Sequence, residues 1–260
     1  AGYNWHPAPS LHLALSLRAA NPKYFSLYSN GPFRDSRGRN ESGIYAAMHW
    51  SPFPQWSIQA YADIFRAHWL GYREDRPAMG NEFFVQIEWN PDRNTFVYIR
   101  WKRRVKTINL PVEDAPMPLT GLESRMQFRL NAAYLIGAQT GGQSRLEWSW
   151  SDAKGFYVSQ DFSFKPLKLP LSVTFRLAFY KIASFNSRIY AYEHTPLYQF
   201  GLPAFNGIGS RSYLMIKYNF SRSIQTWIKV AHSGNRRGSL LDDQATDSRW
   251  EIDIQGRLKF

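Results

Sequence analysis

Hydrophobic and polar residues alternate one by one along most of this 260-residue chain. The pattern is clearest near the end, where Trp250, Ile252 and Ile254 are each followed by a polar residue. A period of two is typical of a β-strand with one apolar and one polar face. The pattern predicts twelve strands, at about 10–19, 42–50, 56–66, 81–89, 95–106, 124–134, 144–151, 156–164, 171–181, 210–220, 224–232 and 248–260.

The lengths of these strands and of their connections favour a membrane barrel. Each strand has roughly 9–12 residues, which suits a tilted membrane strand. Short connections alternate with long polar ones, with 151–155 as a short exception on the long side. Bacterial barrels place short turns in the periplasm and have an even number of strands. We therefore predict an all-β fold: a transmembrane antiparallel up-and-down barrel over residues 1–260, or part of a larger barrel, with a periplasmic C-terminus.

A soluble sandwich or lipocalin-like barrel would also alternate, but the aromatic residues weigh against it. Aromatic residues make up 17% of the chain, and no run approaches the ~20 apolar residues of a membrane helix. Several tryptophans fall near predicted strand ends, where membrane barrels carry aromatic girdles. They are Trp50, Trp56, Trp89 and Trp227 beside short turns, and Trp69, Trp101, Trp150 and Trp250 toward long loops. We therefore expect an integral protein of the Gram-negative outer membrane.

The chain carries a formal charge of +12 and has no cysteine. Disulfides and thiolate metal sites are thereby excluded, and the scattered histidines have no metal-like spacing. Although a basic protein often binds nucleic acid, we expect the phosphates of lipopolysaccharide and pore anions instead. The candidate lipopolysaccharide ligands are Arg103 on an outward face and the loop residues Arg34, Arg37, Arg39, Arg236 and Arg237. We expect no cofactor, metal or nucleic acid.

Basic residues recur on the polar faces of several predicted strands. The candidate pore-lining residues are Arg100, Lys102, Arg104, Lys106, Arg125, Arg129, Arg176 and Lys217, with Glu251 and Asp253 opposing them. A cationic lumen favours anions, so the leading prediction is a passive pore for small hydrophilic, preferentially anionic solutes. In the alternative, the charges neutralise one another in a plugged lumen. The barrel would then be a non-conducting subunit of an assembly, secretion or uptake complex, with other outer-membrane proteins or lipoproteins as partners.

The last strand resembles the β-signal that the barrel-assembly machinery reads on outer-membrane proteins. Its residues are Trp250, Ile252, Ile254, Leu258 and Phe260. An exposed, regular edge strand can pair with a templating edge until a barrel closes. The resemblance therefore implies the assembly machinery as a partner during biogenesis.

Several motifs resemble the C-terminal barrel region of a family of Bacteroidota outer-membrane proteins headed by helix-hairpin-helix repeats. The motifs are Asn-Glu-Ser-Gly-Ile-Tyr at 40–45, Phe-Arg-x-x-Trp-Leu-x-Tyr within 62–72, Arg-Ile-Tyr-Ala-Tyr-Glu at 188–193, and Leu-Tyr-Gln-Phe-Gly-Leu-Pro-Ala-Phe at 197–205 followed by Gly207, Gly209 and Arg211. The repeats are absent here, so no DNA-related role carries over. The resemblance implies fold and location but no activity.

The longest connection contains an aromatic stretch that we expect to act as a plug or a docking loop. Residues 188–194 look like an extra strand, either in an outer hairpin or folded inward. The aromatic residues that carry the prediction are Tyr190, Tyr192, Tyr198, Phe200 and Phe205. Because ordered aromatic loops usually pack on something, they should contact the lumen wall or a partner.

A membrane hydrolase is the third function considered, and it is the least favoured. His232 and Ser233 are adjacent, so on a strand they point to opposite faces and do not form a base–nucleophile pair. Asp242 and Asp243 lie side by side in a loop, as solvated charges do. We therefore expect no enzyme activity and assign no catalytic residues. A histidine–serine pair within ~3 Å on the lipid-facing side would favour a hydrolase.

Overall fold

The structure, a computed structural model, describes residues 1–24, 40–70, 76–110, 119–236 and 246–259. Its strands are β1 (Gly2–Ala8), β2 (Leu11–Ala20), β3 (Glu41–Phe53), β4 (Trp56–Ala67), β5 (Met79–Asp92), β6 (Thr95–Leu110), β7 (Leu119–Leu135), β8 (Thr140–Trp150), β9 (Lys154–Phe164), β10 (Leu171–Ile182), β11 (Ile189–Tyr190), β12 (Ala204–Phe205), β13 (Gly207–Asn219), β14 (Ile224–Arg236) and β15 (Thr246–Leu258). A 3-10 turn spans Phe185–Ser187. Within these ranges no helix is long and apolar enough to cross a membrane.

Among the described residues, thirteen strands form one sheet in chain order, and β11 and β12 form a separate pair. The all-β, antiparallel up-and-down architecture is therefore confirmed. In the described residues the sheet has one strand more than the twelve predicted from alternation, because β1 is added at its N-terminal edge. β1 pairs with β2 from Gly2 to Trp5, and the register shifts before Ala8. Pro7 lies in that interval and has no backbone N–H, so it interrupts the ladder and hides the short strand from pattern analysis.

The chain divides into two compact units, residues 1–89 with 100–127 and residues 90–99 with 128–260. In the second unit, β10 shows the pattern that both units follow. Thr174 and Arg176 are buried on one face, whereas Phe175, Leu177 and Phe179 on the other are 38–51% exposed. Soluble domains bury their large apolar side chains and expose their charges. This sheet does the reverse, as the alternation predicts for a strand whose apolar face meets lipid.

The first unit repeats this inversion with different residues. Arg18 is 7% exposed and forms ion pairs with Glu41 at 2.6 Å and with Asp63 at 2.7 Å. On the opposite face Ile44 and Ile64 are more than half exposed. Because a buried charge is costly unless it is paired, the carboxylates explain how an arginine is accommodated on the inner face.

The tryptophans divide between the two faces less cleanly than the girdle interpretation predicts. Trp56 and Trp89 are register partners with ring centroids 5.9 Å apart, and both are about 40% exposed. Trp227, however, is only 5% exposed. Its ring lies under Lys217, whose Nζ is 5.3 Å from the centroid. Assigning Trp227 to a girdle was wrong. Trp227 is two positions before Lys229 on β14, so it lies on the same buried face as Lys229 and not on the exposed face of Ile228.

The four described residues of the β-signal lie on one face of β15. Trp250, Ile252, Ile254 and Leu258 are 56–72% exposed. They alternate with Glu251 and its neighbours on the other face. Phe260, the fifth residue of the motif, lies outside the described residues.

Candidate functional site

The connection between β10 and β13, residues 183–206, is called here the inserted segment. It lies against the inner face of the second unit. Its two short strands pair Ile189 with Phe205 and Tyr190 with Ala204. The predicted extra strand is therefore present, but it has two residues and lies against β9 and β10 of the same unit. Apolar contacts hold its base: one buried cluster contains Ile189, Ala191 and Phe205 with Tyr157, Ala178, Tyr180 and Ile182 of β9 and β10.

Glu193 is the centre of the charged contacts between the inserted segment and the sheet, and it is only 1% exposed. Arg211 of β13 donates to it from Nε at 2.6 Å and from a terminal nitrogen at 3.0 Å. Lys229 of β14 donates from Nζ at 3.0 Å. Arg211 also reaches Glu251 of β15 at 2.9 Å. Two cations from neighbouring strands thus converge on one loop carboxylate.

Arg176 forms a second contact between the sheet and the inserted segment. Its guanidinium makes two hydrogen bonds to Asp161, each 2.5 Å long. A third N–H donates to the backbone carbonyl of Tyr192. The guanidinium carbon lies 5.4 Å from the ring centroid of Tyr213. An arginine that is already paired with a carboxylate therefore also holds the backbone of the inserted segment.

A third contact comes from β8. Arg145 forms an ion pair with Glu147 and donates to the carbonyl of Tyr190 at 2.7 Å. Glu147 is 1% exposed and also accepts from Arg129 Nε at 2.7 Å. The two backbone carbonyls that accept from arginine are two residues apart, as expected for an extended chain lying along the sheet face.

The surroundings of Glu193 determine its protonation. Burial alone would raise the pKa of its carboxyl. Hydrogen bonds and charge from Arg211 and Lys229 outweigh burial, so the pKa lies below its ordinary value of 4.5. The next residue, His194, has a lowered pKa, chiefly because burial disfavours the imidazolium. Its Nδ1 lies 3.0 Å from the Tyr213 hydroxyl. The inserted segment therefore carries a carboxylate and a neutral imidazole at pH 7.

The entry of the inserted segment is fixed by the short β8–β9 turn. Asp152 accepts from the Ser184 hydroxyl at 2.7 Å and from the Asn186 amide at 3.3 Å. The Ser184 hydroxyl is the main cause of the lowered pKa of Asp152. The turn that sequence analysis marked as unusually short among the long connections thus leaves room for the base of the inserted segment.

Beyond these contacts the inserted segment exposes aromatic side chains. Tyr198 and Phe200 are 86% and 80% exposed, and Tyr192 is 52% exposed. Tyr198 has a φ of 66°, a left-handed conformation uncommon for a residue with a side chain. The predicted plug or docking loop therefore divides in two: Phe205 is 3% exposed inside, while Tyr190 at 38% and the tip residues face outward.

Five of the predicted pore-lining residues belong to the first unit. Arg100 donates to Gln86 at 2.6 Å. Glu82 lies 2.8 Å from Lys102 and 3.7 Å from Arg104. Lys106 pairs with a nearby glutamate, and Arg125 lies on β7. Lys102 and Arg104 keep about a third or more of their side chains exposed.

The other five belong to the second unit, and three of them join the network just described. Those three are Arg129, Arg176 and Glu251. Asp253 is the register partner of Lys229, and Lys217 lies over Trp227. Sequence reasoning missed Glu193, Arg211, Lys229, Arg145 and Asp161 as site residues. Glu193 and Arg211 belong to the motifs at 188–193 and 197–211, which gave no hint of their pairing. Asp161 has no basic residue on the same face of its own strand, so its partner comes from the pairing of strands in the fold.

The structure also shows where the candidate residues for hydrolysis, lipopolysaccharide binding and metal binding lie. His232 and Ser233 point to opposite faces: Ser233 accepts from Arg211 on the inner face, and His232 lies 2.9 Å from Ser248 on the outer face. Arg103 is exposed on β6. Among the described residues no three His, Cys, Asp or Glu side chains are placed to hold a metal. The remaining loop candidates Arg34, Arg37, Arg39, Arg237, Asp242 and Asp243 lie outside the described residues.

The fold and site together define a class: an antiparallel up-and-down sheet of inverted polarity with a loop anchored on its charged face. No family model and no curated protein matches the sequence. Among solved structures, CdiB from Acinetobacter baumannii is similar, with a TM-score of 0.48, 12% identity and coverage of 96% of this chain and 47% of CdiB. BamA from Haemophilus ducreyi lacking POTRA domains 1–3 is similar with a TM-score of 0.46, 10% identity and coverage of 89% and 56%. The chain thus spans about half the length of these structures.

Proposed function

We propose that this chain forms an integral outer-membrane β-barrel, with its apolar face in lipid and its C-terminus in the periplasm. The inverted polarity of the strands supports this proposal. Exposed Phe179 and Ile254 alternate with buried or paired charges such as Arg176. In water such an apolar surface would cause aggregation, whereas in a bilayer it contacts lipid chains favourably. Residues 1–260 then act as one barrel domain of the kind that the resemblance to Bacteroidota proteins implies.

Within this barrel, the inserted segment lies on the charged face that would line a pore, so it argues against a passive pore. We propose a non-conducting barrel that serves as a subunit of an outer-membrane assembly, secretion or uptake complex. The observation that carries the proposal is Glu193, buried and held by Arg211 and Lys229. A loop carboxylate shared by two cations of the sheet offsets part of their charge and holds the loop against them.

The exposed tip of the inserted segment supplies the interface that a subunit needs. Aromatic side chains are enriched at protein interfaces, and Tyr198 and Phe200 present theirs almost fully to solvent. We propose an outer-membrane protein or lipoprotein as the partner at this tip. Lipopolysaccharide phosphates would contact Arg103 and Arg236, and the barrel-assembly machinery would read β15 during biogenesis. Nucleic acid has no place in this proposal.

Conductance of the purified full chain in a planar bilayer, across a salt gradient, tests the proposal. The wild type should be silent after its folding is verified by heat-modifiable electrophoretic mobility. Glu193→Gln should show discrete openings, because Lys229 and Arg211 lose their shared anion. Glu123→Gln, which removes the partner of Lys106 on β7, should stay silent. Steady wild-type conductance would reject the plugged barrel.

The passive anion pore is kept as a second candidate for one reason. In the first unit, Lys102 and Arg104 share a single carboxylate, Glu82, and both keep exposed charge. A net positive wall of this kind attracts anions. If the wild type conducts with anion preference, Lys102→Gln should reduce that preference, and the pore becomes the better account.

A further inference from the structure

We propose that the outer face of β13, β14 and β15 carries an ester-hydrolysing site for membrane phospholipids, with Ser248 as nucleophile and His232 as general base. His232 Nε2 lies 2.9 Å from Ser248 Oγ. The two residues are diagonal neighbours on adjacent strands, because Ser248 is the register partner of Gly234. A serine hydroxyl is a weak nucleophile until a base within hydrogen-bond reach accepts its proton. The two side chains meet this requirement without any rearrangement.

A gap for the substrate lies beside the pair. Gly234 is the register partner of Ser210 on one side and of Ser248 on the other. A Cβ built at Gly234 would lie 3.7 Å from Ser210 Oγ and 3.9 Å from His232 Cε1. Serines on the two neighbouring strands therefore flank a position that has no side chain. An ester carbonyl placed there would have Ser248 as its attacking group and Ser210 as a hydrogen-bond donor to its oxygen.

The surroundings of the gap fit a lipid with an acyl chain and a phosphate. The ring of Trp250, 67% exposed, has its centroid 4.6 Å from that of His232. Leu214 and Phe179 continue an apolar surface on the same face. Arg236, the last residue of β14, follows Gly234 by two positions and therefore shares its face. The acyl chain would then contact Leu214 and Trp250, the carbonyl would contact the serine hydroxyls, and the phosphate would contact Arg236.

The reaction balances with water as the only co-reactant. Ser248 Oγ forms a bond to the ester carbonyl carbon while its proton passes to His232 Nε2. The carbon–oxygen ester bond then breaks, and the same proton passes to the departing alkoxide, which leaves as a lysophospholipid alcohol. A water molecule, deprotonated by His232, then attacks the acyl–serine ester. The bond between the acyl carbon and Ser248 Oγ breaks, His232 returns the proton to Ser248 Oγ, and the fatty acid leaves. Ser210 donates to the oxyanion in both tetrahedral intermediates.

The same molecule offers a matched control. His49 Nε2 lies 2.9 Å from Ser57 Oγ, the same separation as in the outer pair. This second pair belongs to β3 and β4 and shares the face of the polar Tyr61 and Asp63. Geometry alone would make both pairs reactive toward an esterase probe. If the apolar setting and the gap at Gly234 matter, only the outer pair will react.

A fluorophosphonate probe on the folded full chain in detergent micelles tests the reactive pair, with the labelled peptide identified by mass spectrometry. Ser248 should be labelled, His232→Ala should reduce the labelling rate at least ~100-fold, and Ser57→Ala should leave it unchanged. No labelling of folded protein, or labelling indifferent to His232, would overturn the site. Ser248→Ala, folded by heat-modifiable mobility, is the blank.

Fatty-acid release from phosphatidylethanolamine vesicles containing the protein tests the substrate. Release by the wild type, lost in Ser248→Ala, is the expected result. Labelling without release would overturn phospholipid as the substrate. The substrate assignment rests on the proposed membrane location, but the labelling in micelles does not. A chain that fails to insert into vesicles yet labels at Ser248 therefore rejects the proposed location alone.

Discussion

Lys229 of β14 and Glu193 of the inserted segment form an ion pair of 3.0 Å in which both side chains are at most 4% exposed. A buried ion pair adds little net stability, but removing one partner leaves the other charge buried without compensation. The pair therefore ties the position of the loop to the integrity of the sheet.

Neutralising the shared carboxylate should destabilise the barrel strongly. In Glu193→Gln, Lys229 and Arg211 remain buried with less negative charge nearby, and the free energy of unfolding should fall by about 3 kcal/mol. Urea unfolding followed by tryptophan fluorescence measures the change. The control, Glu123→Gln, acts on a pair whose side chains are 24–35% exposed and should cost under about 1 kcal/mol. Equal losses in both variants would contradict the central role of Glu193.

The anchoring of the inserted segment should depend on pH in one direction only. Because the pKa of folded Glu193 lies below its ordinary value of 4.5, the carboxylate stabilises the fold fully above about pH 4.5. That contribution is lost as the pH falls through the lower folded-state pKa. Cleavage of the inserted segment by pepsin should therefore accelerate at the acid end. In Glu193→Gln this acceleration should be much smaller, and an unchanged profile in the variant would point to other carboxylates.

The inner and outer aromatic residues of the inserted segment should respond differently to truncation. Phe205→Ala removes a ring that packs on Tyr157 and Tyr180, with both centroid separations 5.0 Å, and should cost about 3–5 kcal/mol. Phe200→Ala acts on a side chain that is 80% exposed and should change stability by under about 0.5 kcal/mol. Phe200→Ala should instead weaken co-purification of a partner. Loss of stability without loss of partner in that variant would reject the interface.

The membrane location can be tested with one exposed isoleucine. Ile254 is 72% exposed on the outer face of β15, so in a soluble protein Ile254→Arg would be nearly neutral. In a bilayer it should cost about 2–4 kcal/mol. Leu167→Arg, at 75% exposure in the short β9–β10 connection, is the matched control and should cost little. Insertion efficiency into lipid vesicles measures both, and equal behaviour would count against a lipid-facing β15.

Alternation was enough to predict the strands because lipid and lumen impose opposite demands on successive residues. It predicts that Arg176 and Leu177 lie on opposite faces, and the structure confirms this. It missed β1, where Pro7 breaks the ladder of hydrogen bonds. Trp227 was predicted to lie at the membrane–water interface from its residue type, but its position in the alternation of β14 puts the ring on the buried face.

The network around Glu193 was beyond what a period of two can predict. The pattern assigns a face to Arg211 and to Lys229, yet it does not say which acidic residue meets them. Their partner comes from irregular chain, where no periodicity exists, and the pairing depends on how the inserted segment folds back. The motif at 188–193 drew attention to the segment that contains Glu193, but it did not predict the contact with Arg211 and Lys229. For the same reason the His232–Ser248 pair emerged only from the register of β14 against β15.

The contacts of the inserted segment come from strands on both sides of it in the chain. Arg145 and Arg176, which hold the carbonyls of Tyr190 and Tyr192, lie on strands that precede the segment in the chain. Arg211 and Lys229, which hold Glu193, lie on strands that follow it. The segment is therefore held from both directions along the chain, and all of its contacts exist only when β8, β10, β13 and β14 are in place together. A sheet that lacked β13 and β14 could still hold the backbone of the segment, but it would leave Glu193 without either of its cations.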